Sequence, residues 1–304
     1  MNTIRIATRE SALALWQANH VKDLLESAHH DLTCEIVGMT TEGDRNKVSP
    51  LSQMGGKGVF VKELEVALLE GRVDIAVHSM KDVPGELPEG LAITAICERA
   101  SPRDAFVSNN YETLADLPEG ASVGSSSLRR VLQIQAAYPH LRFEELRGNV
   151  DTRLRKLDEG QHDAIILAVA GLTRLGQKAR IRSEIPATVS IPAAGQGAVG
   201  IESRVDDAAT NTLLAAINHA PTAVCVGAER RVTLALGATC NLPIAVFAEL
   251  EGDVINLAGY VSDKTGHKVI RENLSGSHDD AMALADELGD KLLARGAGDL
   301  IAAS

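Results

Sequence analysis

The sequence predicts an α/β chain made of two lobes on mainly parallel sheets, followed by a smaller C-terminal α+β domain. Three observations predict it. Strand-like and helix-like segments alternate through the first two thirds of the chain, which implies parallel sheets joined by right-handed crossovers. The alternation occurs twice. From about Ala220 the order changes to a helix, strands and a final helix.

The elements follow in order. Ile6-Ala7-Thr8-Arg9-Glu10-Ser11 runs from a strand into a helix through Gln17, and Leu32–Ile36 is the next strand. A helix over Val61–Glu70 ends at the capping Gly71 and gives way to a buried strand, Val73–Val77. The second copy repeats this order: Val123–Ser127 opens a helix through Gln133, Leu141–Glu145 is a strand, and the helix Val150–Glu159 ends at Gly160 before an apolar strand from Ala164. Helix, cap and strand recur at an offset of 89 and the earlier strand at 109, so the first copy holds about twenty additional residues, including 42–60. The alternative is chance similarity between αβ units. Two such lobes facing each other would form a cleft, because ligands of open α/β sheets bind beyond the carboxyl ends of the strands. Ile191–Gly197 is a Pro/Gly-rich crossing segment, and the strand-like Ala198–Glu202 could return the chain to the first lobe. The expected domains are residues 1–97 plus 198–216, residues 103–192, and residues 220–304. The last has a helix through Leu236, strands near Ile244–Leu250 and Val254–Val261, and an amphipathic helix over Asp279–Leu293.

Composition narrows the function. The 304 residues are 45% hydrophobic, enough to give each domain a core, and carry a net charge of −11. A duplex-binding or membrane-coating surface needs a positive excess. Residues 121–160 nevertheless hold seven basic and five acidic side chains, against eight and fifteen in 201–304, so an anion site would be local. The longest apolar run, Ala164–Leu172, has nine residues, where a membrane span needs roughly twenty. Arg5, Arg9 and Glu10 break the first apolar stretch, which reads as an opening strand and not an export signal. A cytoplasmic monomer is expected, since there is no heptad or exposed apolar helix. The four cysteines lie far apart without C-x-x-C and read as thiols. Cys34, Cys97 and Cys225 fall in apolar patterns, whereas Cys240 sits in a loop after the capping Gly237, where a thiol can be nucleophilic.

Arginine concentrates where the strands end. Ser125-Ser126-Ser127-Leu128-Arg129-Arg130 sets hydroxyls, backbone N–H groups and two guanidinium groups at a helix start, an anion cradle. Arg147-Gly148-Asn149 ends the next strand, Arg153 and Arg155 follow on a helix, Arg174 follows the third strand, and Arg9 holds the corresponding turn of the first lobe. Bidentate pairing suits arginine to carboxylates. Any one of these arginines could equally lie on a solvated helix face; their recurrence at strand ends points to anion binding. Asp82, in His78-Ser79-Met80-Lys81-Asp82 after the buried strand, could stabilise a developing cation and move protons, or could simply cap a helix and pair with Lys81. Gly55, Gly56 and Gly58 around Lys57 suggest a lid or a solvated loop. Gly195–Gly200 matches G-x-G-x-x-G only formally, since no strand precedes it and no acid follows near twenty positions on. Gly55–Gly58 lacks the G-K-[ST] ending of a P-loop, and no H-E-x-x-H supports a metal site.

Over essentially its full length the chain resembles the hydroxymethylbilane synthase (porphobilinogen deaminase) family. The carrying segments are Ala7–Ser11, Gly55–Gly58, His78–Pro84, Gly124–Arg130, Arg147–Arg153 and Ala193–Gly200. The resemblance implies two periplasmic-binding-protein-like lobes and a C-terminal domain whose Cys240 carries a dipyrromethane cofactor by a thioether bond. It implies a transferase that joins four porphobilinogen molecules head to tail on that primer with loss of ammonia, then releases the linear tetrapyrrole by hydrolysis. Asp82 matches the family's catalytic carboxylate. Lys81, Asp82, Ser127, Arg129, Arg130 and Gly148 would hold the cofactor; Arg9, Ser11, Arg147, Arg153, Arg174 and Gln196 would hold substrate; Lys57 and Phe60 would belong to the lid. Each pyrrole carries an acetate and a propionate, which accounts for many arginines. One departure is Thr239 directly before Cys240, where members often have glycine; a β-branched residue disfavours positive φ. Two rivals are a non-catalytic two-lobed carboxylate-binding protein, which needs neither a loop thiol nor a cleft carboxylate, and a cysteine hydrolase, which would need a histidine partner for Cys240.

Overall fold

A computed structural model describes residues 2–41, 61–237 and 242–302. Lys57, Phe60, Thr239 and Cys240 lie outside the described residues. The first copy comprises β1 (Asn2–Arg9), α1 (Ala12–Ala28), β2 (Leu32–Met39), α2 (Lys62–Leu69), β3 (Ile75–Ser79) and β4 (Leu91–Ile96). The second comprises β5 (Asp104–Val107), β6 (Ser122–Gly124), α3 (Leu128–Ala137), β7 (Arg142–Glu144), α4 (Val150–Asp158), β8 (Ala164–Ala168), α5 (Val169–Arg174) and β9 (Ser183–Ile185). There follow β10 (Val199–Arg204), α6 (Ala208–Ala215), α7 (Ala220–Ala235), β11 (Ile244–Glu251), β12 (Val254–Ser262), β13 (Val269–Ser277), α8 (Ala281–Ala294) and α9 (Ala297–Ala302).

The chain forms two compact units, residues 1–100 with 198–226, and residues 101–197 with 227–304. In the first unit the sheet order is β2-β1-β3-β10-β4, with β1 parallel to β2 and β3 and with β10 antiparallel to β3 and β4. In the second the order is β7-β6-β8-β5-β9, with β6 parallel to β7 and β8 and with β5 antiparallel to β8 and β9. The two sheets share one plan. Each is mixed but mainly parallel, as expected: four of the five strands run in one direction, β4 with β1, β2 and β3, and β9 with β6, β7 and β8. The single opposed strand, β10 or β5, enters from a segment with no helical crossover and pairs antiparallel with both its neighbours.

Local sequence explains the layers. On α1 the residues Ala14, Ala18, Val21 and Leu25 recur at helical spacing and are buried; the last three pack with Ile4, Ile6 and Ile75. Leu64, Ala67 and Leu68 of α2 cover the other face over Ala7 and Ala76. In the second unit the strand period of two sends Phe106, Ala164 and Ile166 to one face and Ala105, Val107, Ile165 and Leu167 to the other. Strands buried on both faces read as continuous apolar runs. Each fully buried Leu, Ile or Phe contributes on the order of 1.5–3 kcal/mol. The run Ala164–Leu172 divides into β8 and α5.

The C-terminal region of the second unit is an antiparallel sheet, β11-β12-β13, with α8 against it. The sequence signalled β11 and β12 but not β13, where only Ile270 is buried and the half-buried Glu272, Leu274 and Gly276 alternate with the exposed Arg271, Asn273 and Ser275. Ala245, Phe247 and Tyr260 of this sheet pack with Ile191. The buried Glu229 of α7 accepts hydrogen bonds from the Gly195 N–H (2.6 Å) and the Ala248 N–H (2.8 Å). Among the described residues, no helix is long and apolar enough to cross a membrane.

Candidate functional site

In the first unit, neighbouring parallel strands deliver their carboxyl ends to one edge. The register Ile6↔Ile75 and Ala7↔Ala76 brings Arg9, at the end of β1, near Ser79, at the end of β3. A single 3₁₀ turn, Met80–Asp82, follows β3 and is anchored by the buried Met80 and Val83. Gly200 accommodates Met80, since a Cβ there would lie 2.0 Å from its sulfur. One cavity is lined by Arg9, Ser11, Gln17, Val61, His78, Ser79 and Asp82, among others. Ser11 caps α1 by accepting from the Ala14 N–H at 3.3 Å, so its hydroxyl has a structural task as well. Gln17 donates to the Ser79 hydroxyl at 2.8 Å, tying α1 to β3 beside the cavity. Lys81 is half-buried in the same turn.

Gln17 and Ser79 were missed as site residues. Gln17 could have been found: it is a polar residue on the buried stripe of an otherwise apolar helix face, which requires a partner. Beneath the cavity His78 Nε2 and Glu202 Oε2 lie 2.9 Å apart. Among the described residues no group of three or more His, Cys, Asp or Glu could hold a metal ion.

In the second unit the two arginines at the start of α3 point into the protein. Arg129 and Arg130 are 5% and 6% exposed and turn inward onto Asp104, which is fully buried. Arg129 donates through Nη1 (2.9 Å) and Nη2 (3.1 Å) to the two Asp104 oxygens, and through Nη1 to the Ile191 carbonyl (2.6 Å). Arg130 Nε donates to Asp104 at 2.8 Å, and its Nη atoms donate to the Ile166 carbonyl and Gln196 Oε1. Ser190 and Gln196 also donate to Asp104, at 2.9 Å each. Cations at a helix N-terminus oppose its dipole, and this carboxylate is what stabilises them there. Burial works to raise the Asp104 pKa, but the two guanidinium groups hold it well below the usual carboxylate range. Burial lowers that of Arg130, with Asp104 opposing. Ser127 occupies the N-cap position without a side-chain capping bond.

Arg153 is different. Half-buried on α4, it donates to the Gly148 carbonyl at 2.8 Å, and no described residue supplies it with a carboxylate. Burial, followed by the nearby Arg130, pushes its pKa down to about 10. Arg129 and Arg130 share one carboxylate and Arg153 lies near Arg130, which leaves a local positive excess. Gly148 is required beside them: its φ is +119°, and a Cβ would lie 2.7 Å from Thr152. Asn149 caps α4 through the Thr152 N–H at 2.9 Å. Arg147 pairs with the exposed Glu145 at 2.6 Å, and Arg174 donates to the Gly197 carbonyl at 2.6 Å. Asp104 was not singled out from sequence, although an acid directly before the apolar Ala105-Phe106-Val107 is a signal that a buried charge needs partners. Cys34, Cys97 and Cys225 are buried, and burial, then Glu26, push the Cys34 thiol up to about 11.

A cavity lined by an arginine and an aspartate in one unit, and buried arginines sharing one aspartate in the other, stand on two α/β sheets of the same plan. Residues 4–212 match the family model described as porphobilinogen deaminase, dipyromethane cofactor binding domain, and residues 223–294 match the porphobilinogen deaminase C-terminal domain. The chain belongs to the porphobilinogen deaminase family, a family of transferases whose cofactor is dipyrromethane. Among solved structures it is similar to a putative methionine-binding lipoprotein from Bacillus subtilis (14% identity, covering 72% of this chain and 90% of that one, TM-score 0.44). It is also similar to the VFT2 domain of Bordetella pertussis BvgS (17%, 73% and 90%, 0.42) and to a nutrient-binding protein from Burkholderia cenocepacia bound to methionine (14%, 70% and 91%, 0.43).

Proposed function

We propose that this chain condenses four porphobilinogen molecules head to tail on a dipyrromethane primer held by Cys240, with loss of ammonia at each step, and then releases the linear tetrapyrrole by hydrolysis. The observation that carries this reading is that Arg9 and Asp82 line one cavity. The substrate needs both, a cation for its carboxylates and a carboxylate for the positive charge left when ammonia departs. In this reading the guanidinium of Arg9 holds a side-chain carboxylate, each charge-assisted hydrogen bond contributing roughly 1.5–3 kcal/mol. Asp82 stabilises the cationic carbon and takes up the proton released on coupling. Ser11, at the head of α1, and Lys81, in the turn that carries Asp82, assist.

The bound primer supplies a pyrrole carbon as the nucleophile and several carboxylates. The positive excess around Arg153 fits such a group. Arg129, Arg130 and Gly148 would hold it, with Ser127 at the head of α3. Arg130 makes three hydrogen bonds to described residues, which leaves N–H groups from a complement of about five. Arg147, Arg153 and Arg174 would hold substrate carboxylates, together with Gln196, which also accepts a hydrogen bond from Arg130. Lys57 and Phe60 would serve as a lid. The domains in this reading are residues 1–97 plus 198–216, 103–192 and 220–304, in a cytoplasmic monomer.

Intact mass spectrometry and single-turnover assays test it together. The protein should weigh more than its chain by one dipyrromethane, Cys240→Ser should lose that mass, and Asp82→Ala should keep it while turnover falls by roughly 10²–10⁴-fold or more. An active protein of unmodified mass, or near-normal turnover by Asp82→Ala, would reject the assignment.

A further inference from the structure

His78, Glu202 and Glu65 are buried titratable groups for which the condensation chemistry above assigns no task. β3 and β10 pair antiparallel with Gly200 opposite His78 and Glu202 opposite Ala76, so His78 and Glu202 stand two residues apart on one face of the sheet. That face packs against α2, which contributes Glu65. The three residues are 6%, 0% and 7% exposed. Glu202 Oε2 bonds His78 Nε2 at 2.9 Å, while Glu202 Oε1 and Glu65 Oε1 have no hydrogen-bond partner among the described residues. Two carboxylates buried beside one imidazole cannot all be ionised without a large desolvation cost, so at least one must hold a proton. Burial, then Glu202, push the Glu65 carboxyl up to about 7, with His78 opposing. The trio does not form a metal-binding group, so the cation it suits is a proton.

We propose that Glu65, Glu202 and His78 share protons as one buried unit, and that this unit, acting through His78, sets the pH dependence of substrate binding in the cavity of Arg9 and Asp82. His78 belongs to both, since it also lines that cavity. The titratable groups on the surrounding elements are Lys62, Glu63 and Glu65 on α2, Glu202 and Arg204 on β10, Arg5 and Arg9 on β1, and Lys81 and Asp82 on the turn after β3. When Glu65 ionises, the unit gains one negative charge beside the cavity, which opposes the pull of Arg9 on substrate carboxylates. His78 is therefore a positioning residue, and the effect falls on KM more than on kcat.

This proposal rests on the functional reading above, so its test has two arms. In the first, KM for porphobilinogen is measured at pH 6 and pH 8.5 for the wild type and Glu65→Gln, which keeps the shape of the protonated acid. One charge at about 10 Å changes KM by about twofold at the dielectric constant of water and by roughly tenfold or more at an effective value near 20. The wild type should show that rise between the two pH values and Glu65→Gln should not. In the second, the ring of His78 is titrated by NMR in isotopically labelled protein, assigned by comparison with His78→Asn, and Glu65→Gln should move its midpoint by at least about half a unit. An unmoved His78 titration overturns the proton-sharing unit. A moved titration with identical KM profiles overturns its link to the cavity. Failure of the wild type to consume porphobilinogen would sink the functional reading, yet the NMR arm would still decide the unit itself.

Discussion

Replacing Asp104 with asparagine removes one negative charge from the point where two buried guanidinium groups converge. Asp104 accepts from Arg129, Arg130, Ser190 and Gln196 and is completely buried. Asparagine keeps the shape but presents an amide NH₂ to at least one guanidinium and leaves Arg129 and Arg130 without an anion. Breaking a buried pair in this way costs about 3–5 kcal/mol. With a urea m-value of about 2 kcal/mol/M, the transition should move down by roughly 1.5–2.5 M. The assay is urea unfolding followed by far-UV circular dichroism and by the fluorescence of Trp16, the sole tryptophan. Trp16 lies in the first unit and Asp104 in the second, so the dichroism arising from the second unit should report the loss directly. The pH dependence follows in sign. A carboxylate whose pKa is depressed on folding contributes stability that is present above its unfolded value near 4 and is lost as pH falls below it. The wild type should therefore lose this contribution in acid, and Asp104→Asn should not. A shift under about 0.5 M, or an unaltered acid profile, would refute the role of Asp104 as the counter-ion of the cluster.

Three further substitutions discriminate among the other assignments. Arg153→Leu removes a half-buried cation that has no carboxylate among the described residues, so the unfolding midpoint should hold or rise while KM for porphobilinogen increases about tenfold or more; unchanged KM would return Arg153 to a solvated helix face. Glu65→Gln should alter stability with a defined sign. Because folding raises this carboxyl to about 7, the stability its protonated form contributes is complete below its ordinary value near 4.5 and disappears as pH climbs through 7. Its loss of about 1–3 kcal/mol should appear in the Trp16-monitored urea midpoint of the wild type and be absent from the variant, and parallel pH profiles would contradict it. Gly148→Ala should cost about 1–3 kcal/mol, since its φ of +119° and the approach of Thr152 exclude a side chain; a neutral result by circular dichroism melts would show that the loop rearranges.

The internal repeat was legible because it is written in local signals. Helical spacing on α1, the caps at Gly71 and Gly160 and the apolar runs of β3 and β8 all act over a few residues, and the family motifs lie in short contiguous stretches. Arg9, Ser11 and Asp82 were reachable for the same reason, since each follows a strand that ends at a predictable edge. Whether the arginines of α3 face outward or inward was beyond such signals. Arg129 and Arg130 turn toward an aspartate 25 and 26 residues away, and only the packing of β5 beside β8 brings that carboxylate within reach. The His78–Glu202 contact spans 124 residues and exists because β10 enters the first sheet antiparallel. Sequence by itself determined the duplicated α/β plan and the chemical repertoire of its strand ends. The tertiary structure decided which charges cancel and which stay available, because pairing and burial depend on distances between segments that hydrophobic periodicity does not encode.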